Sequence, residues 1–205
     1  MPTAPSRRKR QPLAPDRIYR AALDLAEDGG VDALSMRKLA AVLNVDAMSF
    51  YHHVANKQAL IMGIYETVLG ELELPAVPEL SWQETLRELA ARFYRLAARY
   101  PRVFPHLMSS PYATERELEI HRFIRDTLLR TGLDERDRAR VAGAIYTYAA
   151  GIAGIAVNGL NLRPLYAPDA EQPNAPQACV DAEGDFAFSV DLLITGIESR
   201  VRENS

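Results

Sequence analysis

Apolar residues recur at helical spacing along nearly the whole chain, and no stretch alternates convincingly as a strand would. Ile18, Ala22, Leu25 and Ala26 line one face of a first helix, which Gly29 and Gly30 stop. Ser35 caps a second, with Leu34 and Leu39 placed as a hydrophobic staple around it. That helix runs to about Leu43, and Asn44 and Val45 make a tight turn. Asp46 caps a short third helix over 47–53, and Asn56 caps a fourth that continues through Leu60, Ile64 and Val68 to about Leu74. Pro75 and Pro78 then separate a head from a body. In the body, helices are predicted over 82–100, a short piece to Met108, 114–130 (stopped by Gly132), 135–162 and 186–202. The last places Phe186, Val190, Leu193, Ile197 and Val201 on one face. Between the last two, 163–185 holds four prolines and five acids without a period, which predicts a mobile loop. The fold class is all-α.

The segment 141–160 is long enough to span a bilayer and carries no charge. It also holds four glycines, Thr147 and Asn158, so it reads as a helix buried on two sides in a water-soluble protein. Arg7, Arg8, Lys9 and Arg10 are followed by Pro12, Pro15 and Asp16 rather than an apolar stretch, which argues against a signal peptide. A cytoplasmic location is expected. The single cysteine, Cys179, allows no intrachain disulfide and no cysteine-based metal cage.

Charge divides the chain. Its 205 residues carry 24 Lys and Arg against 27 Asp and Glu. The first 60 hold 9 basic and 6 acidic side chains, and the remaining 145 hold 15 and 21. A basic head on an acidic body suggests a polyanionic partner for the head alone.

Three short helices with a tight turn between the second and third form a helix-turn-helix, whose third helix fits the DNA major groove. The residues agree in detail. The runs Leu34-Ser35-Met36-Arg37-Lys38-Leu39-Ala40, Leu43-Asn44-Val45, Met48-Ser49-Phe50-Tyr51-His52-His53-Val54 and Asn56-Lys57-Gln58-Ala59-Leu60 resemble the DNA-binding domain of TetR-type repressors. The run from Phe186 to Glu198 is similar to the last helix of the tetracycline-repressor subgroup. This resemblance implies a basic disordered arm over 1–15, a DNA-binding head over 16–65 and a ligand-binding and dimerisation body over 66–205.

The resemblance implies that Arg37, just inside the second helix, contacts a base edge and that Lys57 contacts a phosphate. Ser35, Tyr51 and His53 are expected at the backbone, and Ala47, Met48 and Ser49 at the bases. Phe50 should point inward and hold the short helix to the head. Adjacent His52 and His53 point about 100° apart on a helix and make a poor chelating pair; no metal or other cofactor is expected. The basic arm could enter a minor groove or coat phosphates, or be a disordered solubilising tail.

Phe93, Tyr94, Phe104, His106, His121, Tyr146 and Asn158 mix aromatic mass with polar tips, which suits an apolar pocket with a few orienting hydrogen bonds. The expected ligand is a small, mostly apolar inducer. His106 resembles the position where tetracycline repressors hold a magnesium–drug chelate. Their drug-binding histidine on the fourth helix is Glu73 here, so tetracycline is not the expected inducer. Ala150, Ala153, Gly154 and Val157, with Leu193 and Ile197, are expected at a four-helix seam of a homodimer. That dimer would present two recognition helices to a palindromic double-stranded DNA operator. Walker A, Gly-x-Gly-x-x-Gly, His-Glu-x-x-His and Gly-x-Ser-x-Gly patterns are all missing, so no catalytic residue is assigned. The expected protein is a repressor released by a small ligand; the alternative is a constitutive regulator controlled by a protein partner.

Overall fold

The computed structural model describes residues 14–46, 50–76, 79–158 and 182–203, with side chains of 152–158 and 182 left aside. Among them every regular element is a helix.

In the head, α1 (Pro15–Gly29) opens with proline in its first turn and Asp16 beside it. It ends where Gly30 takes φ 86°, a conformation that costs glycine nothing. Ser35 caps α2 (Met36–Leu43), its hydroxyl accepting the Lys38 N–H at 3.2 Å. Leu34 and Leu39 on either side of that cap are both buried, as the staple pattern predicts. At the far end Asn44 is left-handed (φ 53°, ψ 47°). The Val45 N–H reaches Ala40 O at 3.0 Å and the Asn44 N–H reaches Ala41 O at 3.1 Å, a Schellman closure. Asn56 then caps α3 (Lys57–Gly70), accepting from the Ala59 N–H at 2.8 Å. Helix α1 packs on both α2 and α3.

Helix α3 stops at Gly70, four residues before the predicted end at Leu74, and well ahead of Pro75. Two interactions fix that stop. Arg116 points its guanidinium at the terminal carbonyls of Leu69 and Leu72, supplying donors that a helix end lacks. Glu71 is held by Arg20, Arg99 and Tyr100. The chain then leaves regular structure, so Glu73 lies outside the helix.

The body contains α4 (Trp82–Arg99), α5 (Phe104–Met108), α6 (Glu115–Leu129), α7 (Glu135–Asn158) and α8 (Ala182–Glu203). A complete capping box starts α4: Ser81 accepts the Glu84 N–H while Glu84 accepts the Ser81 N–H at 2.8 Å. Helix α8 begins four residues before the predicted start at Phe186, with Glu183 and Asp185 in its first turn where the helix dipole favours acids. Residues 163–181 of the predicted loop, and residues 1–13 of the basic arm, lie outside the described residues; Pro15 is already helical.

Two apolar clusters hold the molecule together. One runs without a break from Ile18, Leu39, Phe50 and Leu60 in the head to Leu96, Phe104 and Ile120 in the body. The other joins Leu86, Leu128 and Leu133 to Phe186, Val190, Ile194 and Ile197. On α8 the buried positions are Phe186, Val190, Ile194 and Ile197, while Leu193 and Val201 are only half-buried. Arg87–Asp191 (2.7 Å) and Gln83–Glu198 (3.0 Å) tie α4 to α8 across that cluster. Of the segment expected to be buried on two sides, residues 141–151 are buried on one side within this chain: Ala142, Ile145 and Ala149 turn inward while Ala144, Thr147 and Gly151 stay exposed. No helix among the described residues is long and apolar enough to cross a membrane.

Candidate functional site

The exposed surface of the head collects its polar side chains around two helix starts. Arg37 is exposed in the first turn of α2, next to the capping hydroxyl of Ser35. Tyr51 is half-exposed at 51% and His53 is exposed, whereas Phe50 between α2 and α3 is fully buried. Anchoring Phe50 fixes the segment that carries Tyr51 and His53, and the Phe50 N–H bonds Asp46 O at 3.0 Å. Ala47, Met48 and Ser49, the expected base-facing residues, lie outside the described residues. Lys57 opens α3 and its ammonium donates to Asp32 O at 3.0 Å. One of its three N–H bonds thus steadies it against the α1–α2 turn, leaving the ammonium at the surface. Backbone N–H groups at two helix starts, with Arg37 and Lys57 beside them, have the chemistry that suits an anion.

The body holds a cavity of about 400 Å³. Its floor is apolar: Leu86, Leu89 and Phe93 of α4, Leu107 of α5, Ile120 and Ile124 of α6, Ile145 and Tyr148 of α7, Phe186 and Ile194 of α8. Leu69, near the end of α3, completes the wall. The lining residues with polar side chains are Glu117, His121 and Arg125 along one face of α6, with Tyr146 and Tyr148. The His121 and Tyr146 rings meet edge to face at 5.9 Å. Burial pushes the Tyr148 phenol up, and its hydrogen bond with Ser189 opposes that shift.

The sequence-predicted pocket residues divide accordingly. Phe93, His121 and Tyr146 line the cavity. Phe104 does not; it is fully buried behind the wall, with its ring against Phe93 at 4.9 Å. Tyr94 is also off the wall, because its ring stacks on Phe186 at 4.6 Å. His106 is exposed on the outer side of the five-residue α5, while Leu107 and Met108 of the same turn face inward. The Asn158 side chain lies outside the described residues. Leu193 and Ile197, expected at a seam between copies, line this intrachain cavity. Of the remaining seam residues, Ala150 is half-buried and the side chains of Ala153, Gly154 and Val157 lie outside the described residues. Large apolar side chains exposed on α8 include Phe188 at 66% and Leu192 at 58%. Sequence reasoning also missed Glu117 and Arg125, which a helical-wheel projection through His121 would have placed on its face.

Three contacts connect the cavity walls to the head. Glu27, near the end of α1, accepts from the backbone N–H of Val103 at 2.7 Å and of Arg102 at 3.2 Å. It thereby holds the start of α5, and Arg102 returns a bond to Asp28 O. Glu71 takes Arg20 of α1, Arg99 of α4 at 3.0 Å and the Tyr100 hydroxyl at 2.8 Å. Burial alone would raise its carboxyl, but Tyr100 and the two arginines outweigh that and hold it below the usual carboxylate range. Tyr100 moves up, through burial and its bond to that carboxylate. Arg116 links the first turn of α6 to the end of α3, and its N–H donates to Glu66 at 3.2 Å.

Comparison with known proteins agrees with this geometry. Residues 18–63 match the bacterial regulatory proteins of the tetR family. An HTH-type transcriptional regulator of Saccharopolyspora erythraea is 30% identical over 139 residues, 68% of this chain and 59% of that protein. The chain therefore spans less than two thirds of the length of that curated relative. ActR of Streptomyces coelicolor, crystallised without ligand, superposes with a TM-score of 0.77 at 23% identity, covering 95% of this chain and 99% of that one. A single-residue variant of TetR from Acinetobacter baumannii AYE, solved with minocycline, gives 0.68 at 26% identity over 92% and 98%. A helix-turn-helix head with its matched motif, joined to a cavity-bearing helical body of the same topology, makes this chain a member of the tetR family of bacterial regulatory proteins.

Proposed function

We propose that the protein represses transcription as a homodimer bound to a palindromic DNA operator, and that a small organic ligand in the body releases it. The observation that carries this reading is the physical linkage between cavity and head. Leu107 and Met108 line the cavity, and the same five-residue helix is held at its start by Glu27 of the head. Leu69 lines the cavity, and its helix α3 begins at Lys57 on the candidate DNA face. A ligand that wedges these walls apart has different affinities for the two head positions, which is the requirement for a population shift. A hundredfold loss of DNA affinity needs about 2.7 kcal/mol of such coupling.

The pairing of two heads is supported by the uncovered side of the body. Phe188 and Leu192 on α8 expose apolar side chains, and α7 exposes Ala144, Thr147 and Gly151. Small residues allow close helix approach, and a second copy of the same face would cover both. Two recognition helices then address half-sites about 34–36 Å apart. The minocycline complex of the Acinetobacter relative supports a small-molecule effector in a body of this shape.

The test is fluorescence anisotropy on an operator selected from random palindromes. Arg37→Ala should cost about 1–3 kcal/mol and relax preference at one position. Lys57→Ala should weaken all sequences alike and reduce the salt slope by about one. Wild-type binding by both variants refutes the DNA face.

A further inference from the structure

Two helices of the body start with the same sequence device, and only one completes it. Ser81 and Glu84 form both halves of a capping box. Thr114 and Glu117 have the same spacing, yet only the first half forms: the Glu117 N–H donates to Thr114 Oγ1 at 3.1 Å. The Glu117 carboxylate does not return to the cap. Glu117 as a residue is half-buried and lines the apolar cavity, and no donor among the described residues bonds or ion-pairs with its carboxylate.

The neighbouring charges do not compensate it. Arg116 spends its guanidinium on Glu119 and on the carbonyls of Leu69 and Leu72. Arg125, two turns further along the same face, gives Nε and Nη2 to Asp126 at 3.0 and 2.9 Å. Between them stand the His121 and Tyr146 rings, in edge-to-face contact. A cavity with an apolar floor and one unpaired carboxylate on its wall discriminates by charge. An anion bound there meets repulsion, and a neutral ligand strips water from Glu117 without replacing it. A ligand ammonium instead makes a charge-assisted bond, with an aromatic rim that also favours a cation.

Resting on the reading of this cavity as the effector site, we infer that its ligand is an organic cation: an apolar ring or hydrocarbon body carrying a protonated amine that pairs with Glu117. Titration calorimetry on the full chain with three near-isosteres tests this: 2-(1-naphthyl)ethylamine, 2-(1-naphthyl)ethanol and 1-naphthylacetate. The titration is run at pH 8, where an alkylamine is protonated. The amine should bind about tenfold more tightly than the alcohol, with the acid weakest. Glu117→Gln should remove that advantage while leaving the alcohol within about twofold. Equal binding of amine and alcohol, or an amine preference that survives Glu117→Gln, overturns the inference and leaves the cavity reading standing. Failure of all three probes to bind overturns the cavity reading itself.

Discussion

Tyr19 of α1 lies across Gly63 of α3 so closely that a Cβ on Gly63 would come 2.1 Å from the ring. Glycine in the middle of a helix ordinarily costs about 1 kcal/mol relative to alanine. Here the bare backbone is the surface on which the ring rests. Gly63→Ala should therefore destabilise the protein by about 1–3 kcal/mol through overpacking, despite its better helix propensity. Urea denaturation measures this, and a double-mutant cycle checks the cause. In a Tyr19→Ala background the same Gly63→Ala change should be neutral or stabilising; an equal loss in both backgrounds rules out the ring contact as the cause.

Glu27 accepts the N–H groups of Arg102 and Val103, and Val103 is fully buried. Glu27→Ala leaves these donors without their acceptor, at a cost of about 1–3 kcal/mol. Because the contact joins head to body, amide exchange should speed up around residues 102–104. Unchanged exchange there would mean the N–H groups find other partners.

Glu71 gives a pH dependence with a definite sign. Its carboxyl is held below the usual range by Tyr100, Arg20 and Arg99 against the effect of burial. The unfolded chain thus takes up this proton first as pH falls. Its contribution to stability is complete above the ordinary carboxylate range and disappears as pH drops through the lowered folded value. Melting temperatures of wild type and Glu71→Gln should differ at pH 7 and converge toward pH 3. A difference that grows on acidification contradicts the assignment.

Leu192 is 58% exposed in the single chain. If α8 pairs with its counterpart in a second copy, Leu192→Arg introduces like charges near the two-fold axis and an uncompensated cation at the seam. Sedimentation should then show a monomer near 22.8 kDa where the wild type runs at twice that mass. A variant that stays dimeric at micromolar concentration moves the seam elsewhere.

Much of the head was legible because its elements are set by local chemistry. Ser35 and Asn56 cap helices by bonds within three residues, and Asn44 closes a turn through its own backbone conformation. Periodicity likewise identified Ile18, Ala22 and Ala26 as the buried stripe of α1, although Leu23 is buried more fully than Leu25. The errors arise where distant residues decide. The end of α3 is set by Arg116, forty-six residues beyond Gly70. The loss of His106 from the pocket follows from which face of α5 Phe104 and Leu107 anchor in the core. Choosing Leu193 over Ile194 for burial is a helical-phase error of one residue, resolved only by packing against Leu86 and Leu128. Glu117 went unnoticed in the sequence because nothing local announces an unfinished cap.

The apolar cluster that runs from Ile18 to Ile120 has a practical consequence for protein engineering. A head cut at Gly70 and fused to a foreign body would carry Tyr65, Val68 and Leu69 as bare surface, since these residues belong to the core shared with the body. Reading heads could not be exchanged as modules on this scaffold without transplanting their complement on α4, α5 and α6. A chimera swapping the head alone should aggregate, whereas one that also carries Leu96, Tyr100, Phe104 and Ile120 should melt in a single transition.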